Sequence, residues 1–528
     1  MEDILAGAEL LFQTGPLLWL VVGILIGFVA GAIPGVGSAN AAALLLPFAI
    51  GLPVESSLIL IGGLYAGCLF AAAIPAILIN APGEPGSAAT ALDGYPMALQ
   101  GKAERAIGIA RMASAAGGII AGVVVLFVIG PLSDVALHFG AVEIFVVALF
   151  GLLVITVVIG DSVRKGVVAA ALGLLIAAMS ANPLTGQPRF TMGFIELYGD
   201  VPFVPAVIGI FGVAQMLNIA AQNSVAHRAA TTTDGDTGVT IIARFLLAMR
   251  EAGGGILETL RYPVTIVRSA MLGLLIGIIP GMGTSTANFV SYGVAKQYAR
   301  KPETFGKGAP EGIIASEASD NAVASGTLIP TLALGIPGSA TAAIVLAALY
   351  LQGLQPGPRL MATEAPLVYA LVLAAILASI LIVPIGMVLA APLALVTRVK
   401  PQFLVPAVLL CCIVGTYSVR GSIFDVGLLL VFGILSFVMQ RLGYPIVPLV
   451  LGLVLGPIAE ENLLRAMQLG NNKLSYFFES GIAQALWVGL ALTMAYSVYR
   501  AIRKGRKSSA AALTSQAQTS TFKDSENS

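Results

Sequence analysis

Charged residues are scarce in this chain of 528 residues, and their scarcity excludes an ordinary soluble domain. Asp, Glu, Lys and Arg make up only 10% of the sequence, whereas soluble domains carry about 25%. The net charge of +1 gives no global attraction to nucleic acid, so no nucleic-acid partner is predicted. Three cysteines and two histidines, placed as they are, make neither a disulfide framework nor a metal-site spacing.

Long apolar runs take the place of the missing charge. Hydrophobic residues make up 57% of the chain, and the mean hydropathy is +0.93. Several uncharged stretches reach the length of about 20 residues that crosses a bilayer as a helix. These stretches lie between Glu9 and Glu55, Arg111 and Asp134, Glu364 and Arg398, and Glu479 and Arg500. Because lipid cannot satisfy exposed backbone groups, we expect an all-α polytopic membrane protein.

Several motifs recur in the same order after about 250 residues, which indicates an internal duplication. Pro-Gly-x-Gly occurs at 34–37 and 280–283, and Pro-Gly-Ser-Ala occurs at 85–88 and 337–340. The loop after the first Pro-Gly-x-Gly helix lacks Lys and Arg, whereas the loop after its copy is basic. Since basic loops favour the cytoplasm, the sequence predicts two inverted-topology repeats.

Charge and composition divide the chain into four parts. The predicted parts are a first membrane repeat (1–221), a basic cytoplasmic linker (222–262), a second membrane repeat (263–499) and a basic, disordered C-terminal tail (500–528). An amphipathic helix is expected in the linker, at about 241–260. The basic linker and tail, set against an acidic N-terminus, predict an outside N-terminus and a cytoplasmic C-terminus.

The two Pro-Gly-x-Gly motifs interrupt apolar helices at membrane depth. Proline removes a backbone donor and glycine relaxes the chain, so each motif predicts a corner between discontinuous or re-entrant helices. Such corners are tolerated where protein or a water-filled cavity surrounds them, and in transporters they mark the substrate site. Small polar residues follow each corner, where free N–H groups meet the positive end of a helix dipole. This arrangement predicts an anion site; kinks that serve only packing are the alternative.

The candidate substrate-binding residues lie at these corners and at the two Pro-Gly-Ser turns. They are Gly35, Gly37, Ser38 and Asn40, then Gly281, Gly283, Thr284, Ser285 and Asn288, and finally Pro85, Gly86, Ser87, Pro337, Gly338 and Ser339.

Carboxylates near the second repeat's corner suggest a coupling ion. Glu317 and Asp320 are spaced i, i+3, so they share a helix face, with Asn321 beside them. Intramembrane carboxylates are costly and usually functional. Glu317, Asp320, Asn321 and Asp93 are therefore candidates to hold Na⁺ or to carry a proton, with no other cofactor predicted; the alternative is that they are solvated at the membrane interface.

The motifs in order resemble a known family. "GAIPGVGSANAAALLLPFAIGL", "PGEPGSAATALDGYPMALQGKAERAIG", "NPLTGQPRFTMG" and the segment from "GIIPGMGTSTAN" to "LGIPGSATAA" are similar to the TctA-like permease, the large membrane subunit of tripartite tricarboxylate transporters. The resemblance implies cation-coupled carboxylate uptake across the bacterial inner membrane. It also implies two partners, a small TctB-like membrane subunit and a periplasmic TctC-like substrate-binding protein.

Three other readings remain open on the residues. A stand-alone anion carrier would need no binding protein. An intramembrane enzyme could use glycine-rich turns to hold a lipid phosphate, yet the chain contains no GxSxG, HExxH or P-loop pattern, so no enzyme is predicted. A structural scaffold would leave four polar, glycine-rich corners at membrane depth without a role.

Overall fold

The protein is an all-α polytopic membrane protein. The computed structural model describes residues 2–158, 163–182, 186–199, 201–221, 241–280, 282–396, 401–492 and 494–495. Among these residues, seven helices are long and apolar enough to cross a membrane, or eight if one bent pair counts as a single span. The fold-class prediction is confirmed in this respect.

The described part of the chain contains the following helices, in chain order. They are α1 (Glu2–Leu11), α2 (Thr14–Ala32), α3 (Gly37–Ala49), α4 (Val54–Ile79), α5 (Ala88–Leu99), α6 (Ala103–Ala136), α7 (Ala141–Val158), α8 (Val163–Ala177), α9 (Phe203–Val207), α10 (Ala214–Ala221), α11 (Ile241–Thr259), α12 (Pro263–Ile278), α13 (Gly283–Tyr298), α14 (Pro310–Leu334), α15 (Ala340–Leu351), α16 (Pro358–Val396), α17 (Pro401–Arg420), α18 (Ile423–Arg441) and α19 (Ile446–Leu469). A π-helical segment, Ile208–Val213, joins α9 to α10.

The order of elements repeats in the second half, as the duplication predicts. The first corner separates α2 from α3, and the second separates α12 from α13. α4 and α14 both end at a left-handed residue, Asn80 and Gly335, whose N–H bonds to the carbonyl of a proline five positions earlier. The packing repeats too. α6 of the first repeat packs against α14 of the second, and α16 of the second packs against α4 of the first. In the same way, α11 packs against α6 and α1 packs against α16. The opposite orientation of the two repeats stays a prediction.

Close helix contacts bury α4 and α14 inside the protein. A Cβ on Gly27 of α2 would lie 2.3 Å from the Leu64 carbonyl oxygen of α4, and a Cβ on Gly273 of α12 would lie 2.4 Å from the Ser319 carbonyl oxygen of α14. Glycine thus allows the same close backbone approach in both repeats. The most apolar window of α4 is 94% buried, so polar side chains on this helix face protein.

The amphipathic helix predicted in the linker is present as α11. It meets α12 at an angle of 82°. Arg105 of α6 and Glu258 of α11 form a salt bridge at 2.7 Å, which ties α11 to the first repeat. The remainder of the predicted linker, 222–240, and the tail 500–528 lie outside the described residues.

Candidate substrate and ion site

The first corner already holds a carboxylate of the chain itself. Gly35 and Gly37 have φ of +81° and +63°, which favours glycine. Because α3 begins without a side-chain cap, its first amides are free for an acceptor. The Ser38 amide donates to the carboxylate of Glu84, which is only 7% exposed. One predicted substrate contact is therefore taken by an internal anion in this structure.

The first corner also contacts the Pro-Gly-Ser turn of the second repeat. Ser38 Oγ lies 2.8 Å from Thr341 Oγ1, and the Tyr65 hydroxyl lies 3.3 Å from Ser339 Oγ. Ser339 accepts the Ala342 amide at 3.1 Å and so caps α15. These contacts place the two polar elements side by side.

The second corner meets the corresponding turn of the first repeat. A Cβ on Gly86 would lie 2.7 Å from Thr284 Oγ1, 2.9 Å from Asn288 Nδ2 and 2.9 Å from Asp320 Oδ1. Asn288 donates to Asp320 Oδ1 at 2.7 Å. The four predicted corners and turns therefore meet in two pairs, each formed across the repeats.

Glu317 lies one helical turn before Asp320 on α14, and hydroxyl groups of the first repeat donate hydrogen bonds to it. Thr90 of α5 donates to Glu317 Oε1, and Ser114 of α6 donates to Oε2 at 2.7 Å. Glu317 is 0% and Asp320 1% exposed. The alternative of solvated, interfacial carboxylates is therefore wrong for these two residues. Glu84 is buried as well, and its charge and that of Glu317 both act on Asp320.

Asp320 and two asparagines near it carry unpaired polar atoms in the described part of the chain. Asp320 Oδ2, Asn288 Oδ1 and both amide atoms of Asn321 are buried without a hydrogen-bond partner there. Because a carboxylate only accepts, the Asn288 amide nitrogen must face it and its carbonyl oxygen must point away. Carboxylate and carbonyl oxygens are ligands for hard cations. The described residues contain no group of three or more His, Cys, Asp or Glu suited to a metal ion, so a Na⁺ here would also need neutral oxygens.

Asp93 has a different setting from the one predicted for a coupling-ion ligand. Its Oδ1 accepts the amides of Gly306, Gly308 and Ala309 at 2.8, 2.9 and 2.8 Å, and its Oδ2 accepts the Tyr292 hydroxyl at 2.9 Å. Four donors use most of the acceptor sites of one carboxylate. Asp93 therefore anchors the loop that leads into α14, and its assignment as a coupling-ion candidate stays a prediction.

The other predicted residues line the same turns with varied exposure. Gly283 has φ of +62°, and among the described residues beyond its chain neighbours and its own helix backbone no atom lies within 4 Å of the place where a Cβ would stand. Gly281 lies outside the described residues. Half-buried positions are Asn40, Thr284, Ser285 and Ser339; buried positions are Ser87, Pro337 and Gly338; Pro85 is exposed.

Comparison with known proteins assigns the chain to a transporter family. The profile of the "Tripartite tricarboxylate transporter TctA family" matches residues 17–451. The chain belongs to this family. It is 34% identical over 496 residues to an uncharacterized 52.8 kDa protein of Agrobacterium vitis in the TAR-I ttuC' 3' region, with 93% of this chain and 96% of that protein covered. No solved structure matches the chain.

A second Agrobacterium vitis protein, uncharacterized and in the TAR-II ttuC' 3' region, is 36% identical over 220 residues. That match covers 42% of this chain and 90% of the relative. Membership of the TctA family makes this chain a multi-pass transporter subunit of the tripartite tricarboxylate class, since the family is a transporter family and not an enzyme family.

Some site residues of this TctA-family chain escaped sequence reasoning. Thr90, Ser114, Tyr65 and Thr341 are isolated hydroxyls in apolar helices, which are common and carry no signal alone. Thr90 had a partial signal, because it lies three residues after the Pro-Gly-Ser motif. Their roles depend on partners in other helices, so only the fold reveals them.

Proposed function

We propose that this chain is the permease subunit of a binding-protein-dependent secondary transporter that imports carboxylate anions, coupled to Na⁺ or H⁺. The observation that carries the proposal is the paired meeting of broken-helix corners across the repeats, around the buried carboxylates Glu84, Glu317 and Asp320. Polar corners at membrane depth are a feature of transporter substrate sites.

The uncompensated negative charge of the buried carboxylates is the reason to expect coupling of the substrate anion to a cation. No Lys or Arg in the described part forms an ion pair with Glu84, Glu317 or Asp320. Buried carboxylates without a counter-charge are costly and repel a second anion. A Na⁺ held by Asp320 together with neutral oxygens, or a proton on Glu317 or Asp320, removes that repulsion. The cation therefore favours binding of the substrate anion at the same site.

The second corner is the proposed contact for the substrate carboxylate. At the first corner Glu84 already accepts the Ser38 amide, whereas Gly283 faces open space and α13 begins without a side-chain cap. Its free amides, with the hydroxyls of Thr284 and Ser285, offer donors beside the positive end of α13. At the first corner a substrate would have to replace Glu84.

We further propose that a small TctB-like membrane subunit and a periplasmic TctC-like binding protein complete the system in the bacterial inner membrane. The N-terminus is then periplasmic and the C-terminus cytoplasmic, as the basic loops indicate. The family description names a tripartite transporter, which supports the presence of partners.

Reconstitution tests this function. Proteoliposomes with all three components should accumulate at least one of citrate, succinate or acetate when a Na⁺ or pH gradient is imposed. The same vesicles with this subunit alone should show little uptake, because delivery and assembly are missing. Full-rate accumulation by the subunit alone would instead support the stand-alone carrier. Absence of uptake of all three anions by the complete system would contradict the proposed function.

A further inference from the structure

Arg111 is a buried cation that the site described above does not use. It belongs to α6, it is 0% exposed, and it is the largest fully buried side chain among the described residues. Its Nε, Nη1 and Nη2 atoms have no hydrogen-bond partner among the described residues. No salt bridge to Arg111 is found there either.

Three helices form the surroundings of Arg111. Its guanidinium carbon lies 5.6 Å from the ring centroid of Phe70 on α4. On α16, a Cβ at Gly386 would lie 2.9 Å from Arg111 Nε, so the glycine leaves the space that the guanidinium fills. On α6 itself, Ser114 lies one turn further along and donates to Glu317. Arg111 thus lies at the junction of α4, α6 and α16, one helical turn from a residue of the carboxylate cluster.

Glu104 lies two turns earlier on α6, and its charge attracts Arg111. Glu104 Oε2 is also buried without a hydrogen-bond partner in the described part. The two groups attract each other but form no hydrogen bond with each other. A guanidinium at this depth is costly unless an anion compensates it, and Glu104 does so only at a distance.

We propose that Arg111 is a binding residue for a carboxylate group of the transported anion. A guanidinium presents parallel N–H donors that fit a carboxylate in a bidentate pair. The unused donors of Arg111 therefore match the chemistry of the proposed cargo, and the pairing adds a positive anchor to a site otherwise lined by carboxylates and neutral donors. The inference rests on the proposed function, since it needs a carboxylate substrate.

The test compares variants of the complete three-component system. Its readouts are the half-saturating concentration in uptake and the anion-dependent rise in melting temperature in detergent, with citrate, succinate and acetate as probes. Arg111→Met and Arg111→Lys should each raise the half-saturating concentration roughly ten- to a hundredfold, because a charged hydrogen-bond partner or its bidentate geometry is lost. Arg105→Gln removes a positive charge from the same helix, but from a partly exposed residue paired with Glu258, and should change neither readout.

A double variant separates substrate binding from pairing with Glu104. If Arg111 only compensates Glu104, Arg111→Met combined with Glu104→Gln should restore wild-type uptake, and this result would overturn the proposal. The proposal expects the double variant to stay as defective as Arg111→Met. Wild-type half-saturation in Arg111→Met, or failure of Arg111→Lys to assemble, would also overturn it. If none of the three anions stabilises the wild-type complex or is transported by it, the proposed function is refuted instead.

Discussion

Asp320→Asn should abolish concentrative uptake while the complex still assembles. Asp320 is 1% exposed, one of its oxygens accepts Asn288, and the other is unpaired in the described part of the chain. Asparagine keeps the shape but removes the negative charge that binds a cation or a proton. Without a coupled cation, an imposed Na⁺ or pH gradient cannot drive accumulation, so the anion should only equilibrate across the membrane.

Asp425→Asn is a matched control for that result. Asp425 is buried like Asp320 and its oxygens accept no hydrogen bond in the described part, but it lies at the start of α18 and forms an ion pair with Arg420 at 3.6 Å. It should leave coupling intact. Gradient-driven uptake by Asp320→Asn at the wild-type level would show that the cation is held elsewhere. Asn288→Ala removes the amide that donates to Asp320, so it should weaken coupling to either cation.

Alanine at Ser38, Asn40, Thr284 and Ser285 together should raise the half-saturating substrate concentration strongly. Losing one uncharged donor to a charged ligand costs about 1.5 to 3 kcal/mol, roughly ten- to hundredfold in affinity. Even one substrate contact among the four should therefore produce a measurable change in uptake kinetics. The complex should still assemble, because the glycines that shape both corners are kept.

Ser379→Ala is the matched control for the corner variant. Ser379 is 2% exposed, and its hydroxyl donates to the Ala375 carbonyl within its own helix. It should leave the kinetics unchanged. Wild-type half-saturation in the fourfold variant would mean that the breaks at Pro34 and Pro280 serve packing and not binding.

The sequence predicted the parts of the architecture that depend on local chemistry. The breaks at Pro34 and Pro280 follow from backbone rules that act within a few residues, and the duplication follows from motif order. The amphipathic pattern placed α11 within a residue or two of its observed bounds.

The partners of individual side chains could not be read from the sequence. Asp93 bonds to a loop more than 200 residues away, and nothing near Asp93 indicates that loop. Glu84 occupies the first corner because the turn between Asn80 and Pro85 is longer than its copy between Gly335 and Pro337. Arg111 only marks the end of an uncharged stretch in the sequence, and its burial among α4, α6 and α16 is visible only in the fold.

The measurement that tests the account most directly is the affinity of the purified complex for its anion at varied Na⁺ concentration and pH. Citrate, succinate or acetate serves as the ligand, whichever the complex accumulates. Because a bound cation neutralises the carboxylates of the site, anion affinity should rise with Na⁺ or with falling pH, and the anion should tighten cation binding by the same factor. An affinity that is independent of both Na⁺ and pH would contradict the claim that buried carboxylates couple cation and anion at one site.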